Sequence, residues 1–126
     1  MTDSRIREWA ATLAEREVKA FSLARRSFCR KPSARRLHLV RSAGRRLCSL
    51  YEDFADILPP LHYRRLRRLV RQAGEARDAA VLHRVLSAAV DDGERELIEP
   101  LLTALRERQR TGTRMMQRML ARWKRA

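Results

Sequence analysis

Apolar residues recur at steps of three and four along most of the chain, which is the pattern of amphipathic α-helices. Four segments follow this pattern, at residues 4–30, 33–57, 61–90 and 94–124. No segment shows the period-two alternation of a half-buried strand. The pattern predicts an all-α protein, an up-down-up-down four-helix bundle of long helices formed by a single domain, 1–126.

The breaks between the four segments carry residues that end or start helices. Lys31-Pro32-Ser33 and Leu58-Pro59-Pro60 interrupt helical geometry, because proline lacks an N–H and disfavours helix at the preceding residue. Asp91-Asp92-Gly93 is a predicted turn, and Asp91 precedes Glu94 by the three residues of a capping box. Pro100 either kinks the first turns of the last helix or marks its start.

The apolar stripes predict which residues are buried. The first helix has its stripe at Ile6, Trp9, Leu13, Ala20, Ala24 and Phe28, and the second at Val40, Gly44, Leu47, Tyr51, Phe54 and Leu58. The third begins with Leu66, Leu69, Val70 and Ala73 and continues out of phase with Leu82, Val85, Leu86 and Ala89. This change of phase predicts a kink near Gly74. The last helix carries Ile98, Leu101, Leu102, Leu105, Met115, Met116, Met119, Leu120 and Trp123.

The opposite faces of these helices are strongly basic. The second helix places His38, Arg41 and Arg45 opposite its apolar stripe, with Arg46 on their flank. The third carries Arg64, Arg65, Arg67, Arg68 and Arg71, and the last carries Arg106, Arg110, Arg114, Arg118 and Arg122. Such faces either bind anions or are ordinary solvated surfaces. Arginine in particular binds phosphate through two parallel hydrogen bonds.

The net charge favours the first of these two interpretations. The chain has 29 basic and 15 acidic residues, a formal charge of +14. A field of this size attracts polyanions and opposes the compact state by self-repulsion. His38 then has two possible roles, as a solvated histidine or as a phosphate ligand beside Arg41 and Arg45. Arg77 falls near the buried stripe, so that either Asp78 or another acid pairs with it or it turns toward the basic cleft.

Several function classes find no support in the sequence. There is no nucleophile elbow, no phosphate-binding glycine loop and no pair of carboxylates suited to acid–base catalysis, so we expect no catalytic residues. The histidines and cysteines are dispersed, and we expect neither a metal site nor a cofactor. No apolar run approaches the length of a membrane span. Cys29 and Cys48 lie in helical patterns without redox spacing, which suggests a cytoplasmic protein.

Two motifs resemble those of the CHAD family, the conserved histidine α-helical domains. The first is His38-Leu-Val-Arg41 continuing through Arg45-Arg46-Leu47, and the second is Gly74-Glu-Ala-Arg77-Asp78. The resemblance covers residues 33–86. It implies a helical domain that binds inorganic polyphosphate without catalysis and is found at polyphosphate granules. The resemblance implies His38, Arg41, Arg45 and Arg46 as polyphosphate ligands. We add to the predicted ligands Arg64, Arg68 and Arg71, from the basic face of the third helix, and Arg77, from the second motif.

The sequence departs from the family pattern in composition and in length. Cys48 stands where arginine is usual, Gly44 where a larger residue is common, and Ala79-Ala80 where leucine and aspartate are usual. The family typically has two four-helix halves, and this chain supplies one. We therefore expect a homodimer, with binding on an open face as the other possibility. Nucleic acid is the alternative ligand, although the aromatic residues fall on predicted apolar faces rather than among the arginines.

Overall fold

The computed structural model describes residues 3–58 and 63–123 and shows four helices. They are α1 (Asp3–Arg30), α2 (Ala34–Asp53), α3 (Tyr63–Ala89) and α4 (Asp92–Ala121). Each helix packs most extensively on the next in the chain, and α1 touches α4 more lightly to close the bundle. The described residues contain no strand. The predicted all-α four-helix bundle is confirmed.

The helix ends follow the capping chemistry of the sequence. The Ser33 side chain accepts a hydrogen bond from the backbone N–H of Arg36 and caps α2. Asp91 and Glu94 form the predicted capping box, with Asp91 Oδ1 accepting from the Glu94 N–H at 2.8 Å. α4 consequently begins at Asp92, two residues before the predicted start. Pro100 lies inside α4 and does not mark its first turn.

One prediction about the helix bounds was wrong. α2 ends at Asp53, and residues 54–57 form a turn in which the N–H groups of Ile57 and Leu58 donate to the Phe54 carbonyl. α3 runs through Gly74 without a break. The change of apolar phase along α3 coincides with a loss of burial in its second half, where Leu82 and Val85 are exposed. The predicted first residues of α3, 61 and 62, lie outside the described part of the chain.

The core is one large cluster with a smaller one beside it. Phe28, Val40, Leu66, Leu69, Met116 and Leu120 are its largest fully buried side chains. Gly44 lets α2 approach α3 closely, because a Cβ atom added there would lie 2.8 Å from Val70 Cγ2. The smaller cluster joins Ala10 and Ala14 of α1 to Leu50 and Leu58. Trp9 was predicted to be buried but is 55% exposed, and its ring makes an edge contact with Phe54.

The α3–α4 hairpin extends beyond the other two helices. The α1–α2 turn, Pro32 to Ala34, shares a cavity with Ala80, Val81 and Arg84 of α3. α2 therefore begins level with this point of α3. No residue from Ala80 to Leu101 is buried. We call residues 82–101, which form the protruding end of the hairpin, the arm. None of the helices in the described ranges is long and apolar enough to span a membrane.

Candidate anion-binding site

Arg41 reaches from α2 across to α3, where it lies over Gly74. A Cβ atom added to Gly74 would lie 3.4 Å from Arg41 Nε and 3.8 Å from one terminal nitrogen. These are ordinary van der Waals separations, so the guanidinium packs directly against this turn of α3. The Nε atom is buried and has no hydrogen-bond partner. A buried donor without a partner is costly in a folded protein, so Arg41 Nε lacks the acceptor that a buried N–H group ordinarily has.

His38, one turn before Arg41, has the same property. Its Nδ1 atom is buried and makes no hydrogen bond. These two nitrogens are the buried side-chain polar atoms without a partner in the described part of the chain. Both belong to the motif singled out in the sequence. His38 and Arg41 are three residues apart, so both side chains lie on the same side of α2.

Two arginines of α3 fall on the same side of that helix as Gly74. Arg71 and Arg67 lie three and seven residues before Gly74, which places them along the same side of the helix. Arg67 also acts electrostatically on Cys48 of α2, where it opposes the rise in the thiol pKa. We call the surface formed by His38, Arg41, Arg67, Arg71 and Gly74 the α2–α3 groove. Arg67 was placed on the basic face of the third helix but not among the predicted ligands, although its spacing of seven from Gly74 was a usable signal.

Two of the predicted ligands on α2 face the other neighbouring helix. Arg45 and Arg46 line a groove of about 480 Å³ between α1 and α2, together with Glu17. Arg46 Nε donates to Glu17 Oε2 at 3.1 Å in a salt bridge. Its charge is therefore partly compensated within the protein, whereas Arg45 has no acidic partner. Arg45 follows Arg41 by one turn and borders the outer edge of the α2–α3 groove.

The predicted arginines of α3 are divided between two sides of the helix. Arg64 and Arg71 are exposed and lie two turns apart on one side. Arg68 instead lines a groove of about 320 Å³ between α3 and α4, with Arg65, Arg118 and Arg122. The guanidinium of Arg65 lies over the Trp123 ring, 5.0 Å from its centroid. The sequence does not indicate that the α4 arginines lie beside Arg68, because the periodicity of one helix does not show which helix packs against it.

Arg77 is separated from the other predicted ligands and from Asp78. It lines a cavity of about 390 Å³ at the end of the bundle with Arg84 and the α1–α2 turn. Asp78 lines a different groove, with Leu105 and Arg108 of α4. Salt bridges join Arg46 to Glu17 and Arg110 to Glu107, whereas none joins Arg77 to Asp78 in the described part of the chain. The structural alternative that paired Arg77 with Asp78 is therefore wrong.

Candidate nucleophiles and metal ligands do not gather in this region. Burial raises the pKa of the Cys48 thiol to about 11, so the thiol stays protonated at neutral pH. The Tyr63 hydroxyl donates to Glu52, and this hydrogen bond raises the pKa of Tyr63. In residues 3–58 and 63–123, histidine, cysteine and acidic side chains form no cluster of three that could hold a metal ion.

Comparison with known proteins identifies one relationship. The family model for the CHAD domain matches residues 3–125, nearly the whole chain. Curated proteins and solved structures gave no match. The matched range includes α1 and α4, over which the two resembling motifs do not extend.

Proposed function

The chain belongs to the CHAD domain family, and from this premise we propose that it binds inorganic polyphosphate in the α2–α3 groove without catalysing a reaction. The support comes chiefly from the two buried, unpartnered nitrogens of the groove, His38 Nδ1 and Arg41 Nε. A ligand rich in acceptor atoms can supply the hydrogen bonds that buried, unpartnered donors lack. A chain of phosphates supplies acceptor oxygens repeatedly along its length and carries no base that needs an aromatic platform.

In the proposed complex, each cation has a distinct role. Arg41 donates from Nε at the floor of the groove, where the contact is least screened by water. Arg71 and Arg67 neutralise the same chain from the α3 wall, and Arg45 extends the contact along the outer edge. Arg64 lies two turns before Arg71 and continues this line. Arg46, held by Glu17, contributes less.

Binding rather than catalysis is the proposed activity, because the groove presents donors and no activated nucleophile. The nearest thiol, Cys48, is buried and kept protonated by its raised pKa. Bound polyphosphate would place the protein in the cytoplasm at polyphosphate granules. We propose further that two copies associate, so that the α2–α3 groove of a second copy becomes available to the same polyanion.

Nucleic acid is the second candidate ligand, and the exposure of Trp9 favours it. An exposed indole provides a surface on which a base can stack. Trp9 packs against Phe54, beyond the acidic end of α2 at Glu52 and Asp53. Stacked bases would thus lie next to negative charge and away from Arg41, which makes Trp9 a weaker platform than its exposure alone suggests.

A competition titration separates these two ligands. Labelled long-chain polyphosphate is bound to the protein at 0.15 M salt and displaced by unlabelled polyphosphate, single-stranded DNA or duplex DNA of equal total charge. We expect polyphosphate to compete at least ~10-fold better than either DNA. Equal competition by DNA would reject the specific assignment, since backbone charge alone would then account for binding.

A matched pair of triple variants locates the site. Arg41→Gln/Arg45→Gln/Arg71→Gln removes three charges at the groove, and Arg16→Gln/Arg26→Gln/Arg114→Gln removes three exposed charges elsewhere. Each charge-assisted hydrogen bond contributes about 1.5–3 kcal/mol, so the groove variant should lose ~100-fold or more in affinity and the control less than ~10-fold. Similar losses in both would show a diffuse field without a site.

A further inference from the structure

The arm exposes an apolar face that nothing in the bundle covers. Leu97 is 83% exposed and Val85 53%, and Leu82 and Leu101 are also exposed. By contrast, α3 and α4 bury a regular series of side chains on either side of the arm, ending at Ala79 and resuming at Leu102. The apolar periodicity of the sequence continues through the arm, but the helices that would complete its core are missing there.

Helical spacing arranges these exposed residues in one row on each helix of the arm, and we call the two rows together the patch. Leu82 precedes Val85 by three residues on α3, and Leu97 precedes Leu101 by four on α4, so each pair lies on one helix face. Leu82 and Leu105 line the same groove between α3 and α4, and Leu105 is one turn after Leu101. The patch thus runs from this groove toward the tip of the arm. Contiguous apolar patches of this kind mark interaction surfaces.

The charge of the arm indicates which partner it fits. Residues 82–101 contain two arginines, Arg84 and Arg95, and five acids, Asp91, Asp92, Glu94, Glu96 and Glu99. The arm therefore carries a charge of −3, within a chain whose total is +14. Two arginine-covered bodies repel each other, whereas two arms meet with far less repulsion. The acidic tip of one arm is also complementary to a basic body like its own.

We infer that the arm is the surface through which two copies of this chain associate, arm against arm about a two-fold axis. Two antiparallel helix pairs then complete a local four-helix bundle around Leu82, Val85, Leu97 and Leu101 of both copies. With the arms antiparallel, the acids at each tip face the base of the partner's arm, where the same chain carries Arg84 and Arg108. This inference supplies the interface for the dimer proposed above and does not depend on polyphosphate binding.

The solution mass of the full chain tests the inference. Light scattering after size exclusion, and sedimentation equilibrium at 0.15 M salt, should give twice the 14.8 kDa of one chain. Leu97→Glu/Leu101→Glu adds two charges to the patch in each copy and should weaken dimerisation at least ~100-fold. Both side chains are exposed in the single chain, so the helical circular dichroism of this variant should be unchanged.

The matched control changes two leucines that are exposed but isolated. Leu23 on α1 is 64% exposed and Leu39 lies on α2, and Leu23→Glu/Leu39→Glu should remain dimeric. A wild-type chain that stays at one-chain mass at 100 µM overturns the inference and assigns the patch to a different occupant. A dimer that survives the arm variant, or dissociates equally in the control, also overturns it. Polyphosphate affinity is measured on the wild type and on both variants. A wild-type chain that is dimeric but does not bind polyphosphate would reject the proposed ligand and leave the dimer inference standing.

Discussion

Arg41→Met tests directly whether the groove is built for a ligand. Methionine keeps an unbranched side chain against Gly74 but removes the guanidinium and its buried Nε. An unsatisfied buried donor costs about 1–3 kcal/mol. Because other parts of the Arg41 side chain reach solvent, we take the lower end. The variant without ligand should therefore gain about 1 kcal/mol of unfolding free energy, or about 4 °C in melting temperature for a chain of this size.

With polyphosphate present, the order of the two proteins should reverse. At a ligand concentration of 100 times its Kd, the wild type gains about 2.7 kcal/mol. Losing a hydrogen bond from a charged donor weakens binding by about 1.5–3 kcal/mol, so the variant gains only about 1 kcal/mol or less at the same concentration. The wild type should then melt a few degrees above the variant. Differential scanning calorimetry with and without polyphosphate measures both differences.

A second arginine provides the control. Arg25 is also partly buried, but its Nη1 donates to the Leu120 carbonyl at 3.1 Å and joins α1 to α4. Arg25→Met should therefore lower the melting temperature without ligand and leave the gain from polyphosphate nearly unchanged. If Arg41→Met destabilises the free protein as much as Arg25→Met does, Arg41 is a structural residue and the reasoning from its unpartnered nitrogen is refuted.

Three further outcomes follow from the same structure. Gly44→Ala places a methyl group 2.8 Å from Val70 Cγ2 and should cost about 1–3 kcal/mol in chemical denaturation. Gly74→Ala, whose new Cβ atom would lie 3.4 Å from Arg41 Nε, should leave the free energy of unfolding nearly unchanged but weaken polyphosphate binding several-fold. A larger loss of unfolding free energy in Gly74→Ala than in Gly44→Ala would contradict the described packing. The pKa of Cys48 is raised from 9.0 to about 11 in the folded state, so its contribution to stability is complete below pH 9 and is lost as the pH rises toward 11. Cys48→Ala should therefore flatten the fall in unfolding free energy between pH 9 and pH 11. An unchanged slope would show that groups other than Cys48 cause this fall.

Helix existence and helix capping were readable from the sequence alone. The three- and four-residue spacing of apolar residues, the proline breaks and the Asp91–Glu94 capping box are local properties, each satisfied within a few residues of one helix. The His38–Arg41 motif was readable for the same reason, since both side chains lie on one side of α2.

Tertiary packing alone decided which neighbour each face meets. Helical periodicity does not show which helix packs against a given face. The sequence therefore grouped Arg45, Arg68 and Arg77 as one set of ligands, whereas the bundle distributes them among three clefts. The approach of Arg41 to Gly74 depends on residues 33 positions apart, and glycine there reads locally as a break. The same limit explains Leu82 and Val85: their spacing is that of a core stripe, but burial requires an opposing helix, and at this height the bundle has only two.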